Sequence, residues 1–163
     1  MYTLKEKIPG LSLRTTFIIG YPNETEKEFE ELCSFIRDIK FDRLGVFTYS
    51  TEDNTPSFIL GDPVSQEIKE ERKAILMEIQ KEISEEKNRS YIGKRMKVLI
   101  DSLDNDYYVG RSGRDAPEVD GEILIDTKSN TLNIGEFYHI DIYDCNEYDL
   151  FGNLPAAGGF DRE

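Results

Sequence analysis

The first forty residues alternate between two kinds of apolar pattern. Leu11 to Gly20 is dense in β-branched and aromatic residues and predicts a strand. Tyr21-Pro22-Asn23 turns the chain. Thr25 and Glu28 then have the spacing of a capping box, in which each residue satisfies a backbone N–H of the other. Phe29, Leu32, Cys33, Ile36 and Ile39 recur at helical spacing and predict an apolar helix face to about Lys40. Leu44 to Tyr49 predicts a second strand. A strand, a helix and a strand in that order pair in parallel. Two strands under one helix leave much apolar surface uncovered, so a piece of a larger α/β domain is expected in preference to a self-covering oligomer.

Beyond the polar stretch Thr51 to Pro63, a long helix is predicted from about Ser65 to Arg89. Ile68, Ile75, Ile79 and Ile83 form its expected apolar stripe, with Glu and Lys on a solvated face. From Lys94 the period shortens to two. Met96–Ile100, Tyr107–Val109, Glu122–Ile125, Thr131–Ile134 and Phe137–Tyr143 predict five short strands, with Asp104-Asn105-Asp106 and Lys128-Ser129-Asn130 as turns. Such a run predicts a small, closed or partly closed antiparallel β-barrel of the OB type. The expected division is an α/β segment at 1–63, a connecting helix at 64–90, a barrel at 91–154 and a disordered tail at 155–163.

Charge narrows the set of partners. The chain has 20 Lys or Arg against 33 Asp or Glu, a net charge of -13. Within Tyr91–Leu154 six basic residues face thirteen acidic ones. Both nucleic acid and anionic membrane would be repelled, whereas a basic protein surface would be attracted. No apolar run approaches 18 residues and no signal peptide precedes the fold, so a soluble intracellular protein is expected. Cys33 and Cys145 form neither a secreted disulfide framework nor a cysteine metal motif, although one bridge between them stays open.

Two loops carry candidate chemistry. Gly20-Tyr21-Pro22 lies where a parallel strand ends and a helix begins, an edge at which ligands gather in α/β folds; a well-made turn is the plainer reading. The loop Gly110 to Gly121 packs three glycines, two arginines, three carboxylates and a proline into twelve residues. On charge alone Arg111 and Arg114 suggest phosphate, but the acidic surroundings favour pairing with Asp115, Glu118 or Asp120, or with carboxylates elsewhere in the parent protein. Asp104, Asp106, Asp115, Glu118 and Asp120 do not have EF-hand spacing and read as turn chemistry and an acidic rim. His139 is the only histidine and falls within a strand. No nucleophile-and-base pair is visible, so no self-sufficient catalytic site is expected.

Arg14-Thr15-Thr16-Phe17-Ile18-Ile19-Gly20-Tyr21-Pro22-Asn23-Glu24-Thr25, followed by Phe47-Thr48-Tyr49-Ser50, resembles the late part of the radical S-adenosylmethionine barrel of the methylthiotransferases. From Tyr91 the chain resembles their TRAM domain. Gly110-Arg111-Ser112, Asp115 to Gly121 and Tyr148-Asp149-Leu150 resemble the RimO branch more than the tRNA-modifying MiaB branch. The resemblance extends from about Pro9 to Leu154.

It implies the C-terminal part of a TIM-like radical barrel followed by TRAM, within a cytoplasmic enzyme that methylthiolates the β-carbon of an aspartate in ribosomal protein S-twelve. It further implies two iron–sulfur clusters and S-adenosylmethionine in the whole enzyme. Each cluster needs three cysteines, so none is expected on this chain, which would be inactive alone. Gly20, Tyr21 and Pro22 become candidate cofactor contacts. Arg111, Arg114, Asp115, Glu118 and Asp120 become candidate contacts to the basic ribosomal protein, free or on the small subunit, with tRNA disfavoured. An RNA-binding part of a tRNA methylthiotransferase and a stand-alone acidic interaction module are the alternatives. Asn23 and Asn54 stand where the family usually has Gly; a left-handed turn position accepts Asn.

Overall fold

In the computed structural model, residues 7, 8, 10–117 and 120–155 are described. The chain divides into two units, one up to Ile83 and one from Ser84. Glu118 and the tail from 156 onward lie outside the described residues.

In the first unit, β1 (Arg14–Ile19) and β2 (Arg43–Thr48) pair in parallel from Arg14↔Arg43 to Ile19↔Thr48. Between them runs α1 (Glu26–Ile39), started by the expected capping box: Glu28 N–H donates to Thr25 Oγ1, and Thr25 N–H donates to Glu28 Oε2 at 2.7 Å. The helix stops at Lys40, in the left-handed region at φ 51°, with its N–H on the Ile36 carbonyl. Phe29, Cys33, Ile36 and Ile39 of α1 pack with Ile19, Phe41, Leu44 and Val46. The other face of the strand pair stays open, for the register partners Ile18 and Phe47 are 60% and 63% exposed.

A short 3-10 helix, Pro56–Leu60, precedes α2 (Gln66–Arg89). The buried face of α2 differs from the expected stripe. Leu76, Ile79 and Ile83 enter the first core, but Ile68 and Ile75 are exposed, and the buried line continues toward the helix start through Arg72 and Lys69. Positions 69, 72, 76, 79 and 83 alternate three and four apart, which keeps them on one side of a helix.

The second unit is a closed five-stranded barrel of β3 (Arg95–Asp104), β4 (Tyr107–Ser112), β5 (Ile123–Asp126), β6 (Phe137–Cys145) and β7 (Leu150–Asn153), in the order β3-β4-β5-β7-β6. Val98, Ile100, Ile123, Ile125, Ile140, Ile142 and Leu150 alternate inward as its core. Two expectations are corrected. The barrel is not wholly antiparallel, because β5 and β7 pair in parallel to close it. Thr131–Ile134 is not a strand. Its Leu132 is buried in the core, but Asn130 replaces a ladder by donating to the Asp126 carbonyl and accepting from Leu154 N–H. The fifth strand is Leu150–Asn153, whose Gly152 lets β6 approach; a Cβ there would lie 2.3 Å from Ile140 Cγ2.

Candidate functional site

The turn after β1 is fixed from within. Gly20 sits at φ 70°, open to glycine at little cost, and its N–H donates to Glu24 Oε2 at 3.1 Å. Asn23 follows at φ 73° and Asn54, in the later loop, at φ 64°, so both asparagines occupy the left-handed positions expected of them. Gly20 and Pro22 are buried, whereas Tyr21 is 45% exposed and meets the Tyr49 ring edge-on at 5.2 Å. The three predicted residues thus stand together at the C-terminal ends of β1 and β2.

Beneath the turn lie two cations that the apolar-stripe reading missed. Lys69 Nζ donates to both Asp62 oxygens, at 2.5 and 2.6 Å, and to the Tyr49 carbonyl at 2.8 Å. Arg72 donates to Glu24 Oε1 at 2.5 Å and Glu26 Oε2 at 3.1 Å, with its guanidinium 5.1 Å from the Phe29 ring centre. Burial opposes the Arg72 cation, but the hydrogen bonds it donates to Glu26 and Glu24 outweigh it and raise its pKa. A buried charge survives only when paired in this way. The signal in the sequence was the three-four spacing carried through charged residues into Leu76, Ile79 and Ile83.

The loop after β4 is held by its own acids. Asp115 Oδ2 accepts from Ser112 N–H at 3.1 Å and from Ser112 Oγ–H at 2.6 Å, and Asp120 Oδ2 accepts from Ala116 N–H at 2.6 Å. Arg111 pairs with Asp101 on β3 at 3.0 Å, a carboxylate outside the loop, because adjacent strands bring the two together. Arg114 lies over the Tyr91 ring at 4.6 Å. None of Gly110, Gly113 and Gly121 has positive φ, and two of them, Gly110 and Gly121, serve close approach. A Cβ on Gly121 would lie 1.8 Å from the Tyr148 carbonyl oxygen, and one on Gly110 2.7 Å from that of Leu99.

Elsewhere, His139 lies on β6 opposite Lys97 of β3. Cys33 and Cys145 are free, each with its thiol pKa raised by burial, and belong to different units. Among the described residues no group of three or more His, Cys, Asp or Glu is placed to hold a metal ion, and no helix is long and apolar enough to cross a membrane.

Comparison with known proteins matches residues 92–154 to the TRAM domain. The chain is 49% identical over 152 residues to the ribosomal protein uS12 methylthiotransferase RimO of Cytophaga hutchinsonii, covering 93% of this chain and 35% of that protein. Its identity to the protein of that name from Bacteroides fragilis is 46% over 151 residues, covering 92% and 35%. For Christiangramia forsetii it is 43% over 148 residues, covering 91% and 33%. The chain spans about a third of the length of these curated relatives.

Proposed function

We propose that this chain, a member of the RimO family with a TRAM domain at residues 92–154, is the C-terminal part of a cytoplasmic enzyme that methylthiolates an aspartate β-carbon in ribosomal protein uS12. In this reading residues 1–63 belong to the wall of a radical S-adenosylmethionine barrel, 64–90 form a connecting helix, and 91–154 present an acidic face to the substrate protein. The observation that carries it is the charge of the TRAM region, six basic residues against thirteen acidic, within a chain related to proteins named for a ribosomal-protein substrate. Ribosomal proteins bind a polyanion and are basic, so an acidic module attracts them and repels tRNA.

The cofactors divide by fit. Iron–sulfur clusters do not fit this chain: its two cysteines are separate, in different units, and have raised thiol pKa values, whereas cluster ligands are thiolates. Their ligands belong to the remainder of the enzyme. S-adenosylmethionine fits better. The exposed Ile18 and Phe47, with Tyr21 at the strand ends, offer an apolar and aromatic wall to its adenosyl group. When bound and cleaved, that cofactor supplies the radical that takes hydrogen from the substrate carbon. This chain's own part is to present the wall, fix the Gly20–Pro22 turn, and exclude water along one side.

In the TRAM unit, Arg111, Arg114, Asp115, Glu118 and Asp120 are the substrate-facing set. Asp115 and Asp120 shape the loop, while Arg111 is paired with Asp101 and Arg114 lies on the Tyr91 ring, leaving the acidic surroundings to steer a basic partner. The test is mass spectrometry of uS12 from the source organism with and without the gene. Loss of the methylthio increment on a uS12 aspartate is expected on deletion. Its persistence, or its loss from tRNA alone, overturns the proposal.

A further inference from the structure

Two buried cations on α2 are unexplained by core packing. Lys69 is 1% exposed and Arg72 6%, on the side of the helix where Leu76, Ile79 and Ile83 supply apolar contact. An apolar residue of similar volume at such a site is commonly neutral or stabilising, so burial alone gives no reason for a charge. What a charge adds is direction. Leucine packs against whatever is near, whereas an ammonium or guanidinium fixes the positions of the oxygens it meets.

Those oxygens belong to the segments at the strand ends. The Lys69 ammonium ties the Tyr49 carbonyl, just past β2, to Asp62, just before α2. Its stem lies under Gly20, for a Cβ there would come within 2.5 Å of Lys69 Cγ. Arg72 holds one oxygen of Glu24 while the other accepts the Gly20 N–H, so the carboxylate joins the helix to the turn. Arg72 also donates to the Glu24 carbonyl at 3.3 Å. Two side chains one helical turn apart thus hold the end of β1, the end of β2 and the loop between β2 and α2.

We infer that Lys69 and Arg72 are positioning residues that set the Gly20–Glu24 turn and the Tyr49 segment in the geometry that receives S-adenosylmethionine. The inference rests on the cofactor reading proposed above, and its test separates the two. Lys69→Met keeps the stem under Gly20 and removes the ammonium. Asp62→Asn, at a site 36% exposed, weakens the same tie with less risk to folding. Arg72→Lys keeps the charge and loses the fork to Glu24 and Glu26.

Three quantities are read for each variant: amide hydrogen exchange at Gly20 and Tyr49 in this chain, its melting temperature, and the dissociation constant for S-adenosylmethionine of the full-length, cluster-loaded protein. Exchange at Tyr49 is expected to accelerate in Lys69→Met and Asp62→Asn, which melt within a few degrees of the parent, and exchange at Gly20 in Arg72→Lys. Affinity for the cofactor is expected to fall about tenfold, since misplacing a binding group by about 1 Å has effects of that order or larger. Unchanged exchange in both Lys69→Met and Asp62→Asn overturns the positioning role. Faster exchange with unchanged affinity upholds the tie to the turn and overturns the cofactor reading.

Discussion

Gly113 and Gly121 lie in the same loop, and replacing each with alanine gives opposite results. A Cβ on Gly113 meets nothing within 4 Å, and its φ is not positive. A Cβ on Gly121 meets the Tyr148 carbonyl oxygen at 1.8 Å and its carbon at 2.8 Å. Neither neighbour can swing aside, because both are backbone atoms and Asn146 Oδ1 holds the segment by accepting from Tyr148 and Asp149 N–H. The two chains must therefore part by more than about 1 Å, which close-packed interiors do not absorb. That movement breaks the bonds from Leu150 N–H to the Glu122 carbonyl and from Glu122 N–H to Asp149, where the parallel β5–β7 seam begins. Each is worth about 1 kcal/mol. With the disturbed packing of Ile123 on Leu150, the cost is about 2–4 kcal/mol.

For a unit of this size the melting temperature falls about 4–8 °C per kcal/mol, so Gly121→Ala loses roughly 8–32 °C. Gly113→Ala stays within about 0.5 kcal/mol of the parent. Near-ultraviolet circular dichroism suits the assay, because six of the nine tyrosines lie beyond Ser84 in the barrel unit. Equal melting of Gly121→Ala and the parent would falsify the account of barrel closure.

Asn23→Gly should leave stability nearly unchanged, whereas Asn23→Ala costs about 1 kcal/mol, since the exposed residue holds φ 73° and alanine lacks asparagine's tolerance of that region; urea titration separates them. Asp115→Ala removes the acceptor for Ser112 N–H and Oγ–H and costs about 1–3 kcal/mol, seen as a lower denaturation midpoint, while Asp115→Asn recovers part of it. The hydrogen bond from Arg95 holds the Asp141 carboxyl below its ordinary pKa. A group lowered in the fold contributes fully above its unfolded value, about 4, and loses that contribution as acid titrates the folded form. Melting between pH 5 and pH 2 should therefore fall more steeply for the parent than for Asp141→Asn; parallel curves would contradict the pairing.

Much of the first unit was legible because its signals are local. Thr25 and Glu28 fix a helix start whatever surrounds them, and the spacing of Phe29, Cys33, Ile36 and Ile39 follows from helix geometry alone. Asn23 and Asn54 showed where the backbone turns left-handed. Lys69 and Arg72 escaped because a stripe is read by hydropathy, and a buried cation has the hydropathy of a solvated one; only Asp62 and Glu24, brought near by the fold, distinguish them. The barrel failed at its long-range step. Leu132 has the pattern of an inward strand residue, but the segment is anchored by the Asn130 side chain, bonded to the Asp126 carbonyl and the Leu154 N–H, and not by a ladder. Leu150–Asn153 is four residues long, too short to reveal that it would close the sheet in parallel against Ile123. In the Gly110–Gly121 loop the composition was informative but its meaning shifted: Gly110 and Gly121 admit neighbouring backbone, and Asp115 and Asp120 hold the loop.

The most direct test of the proposed function is binding of this chain to purified uS12 and to tRNA across a salt series. Attraction between the acidic TRAM unit and a basic protein predicts measurable affinity for uS12 that weakens as salt rises from about 50 to 200 mM, with no retention of tRNA. Retention of tRNA at physiological salt, with none of uS12 at any salt, would contradict it.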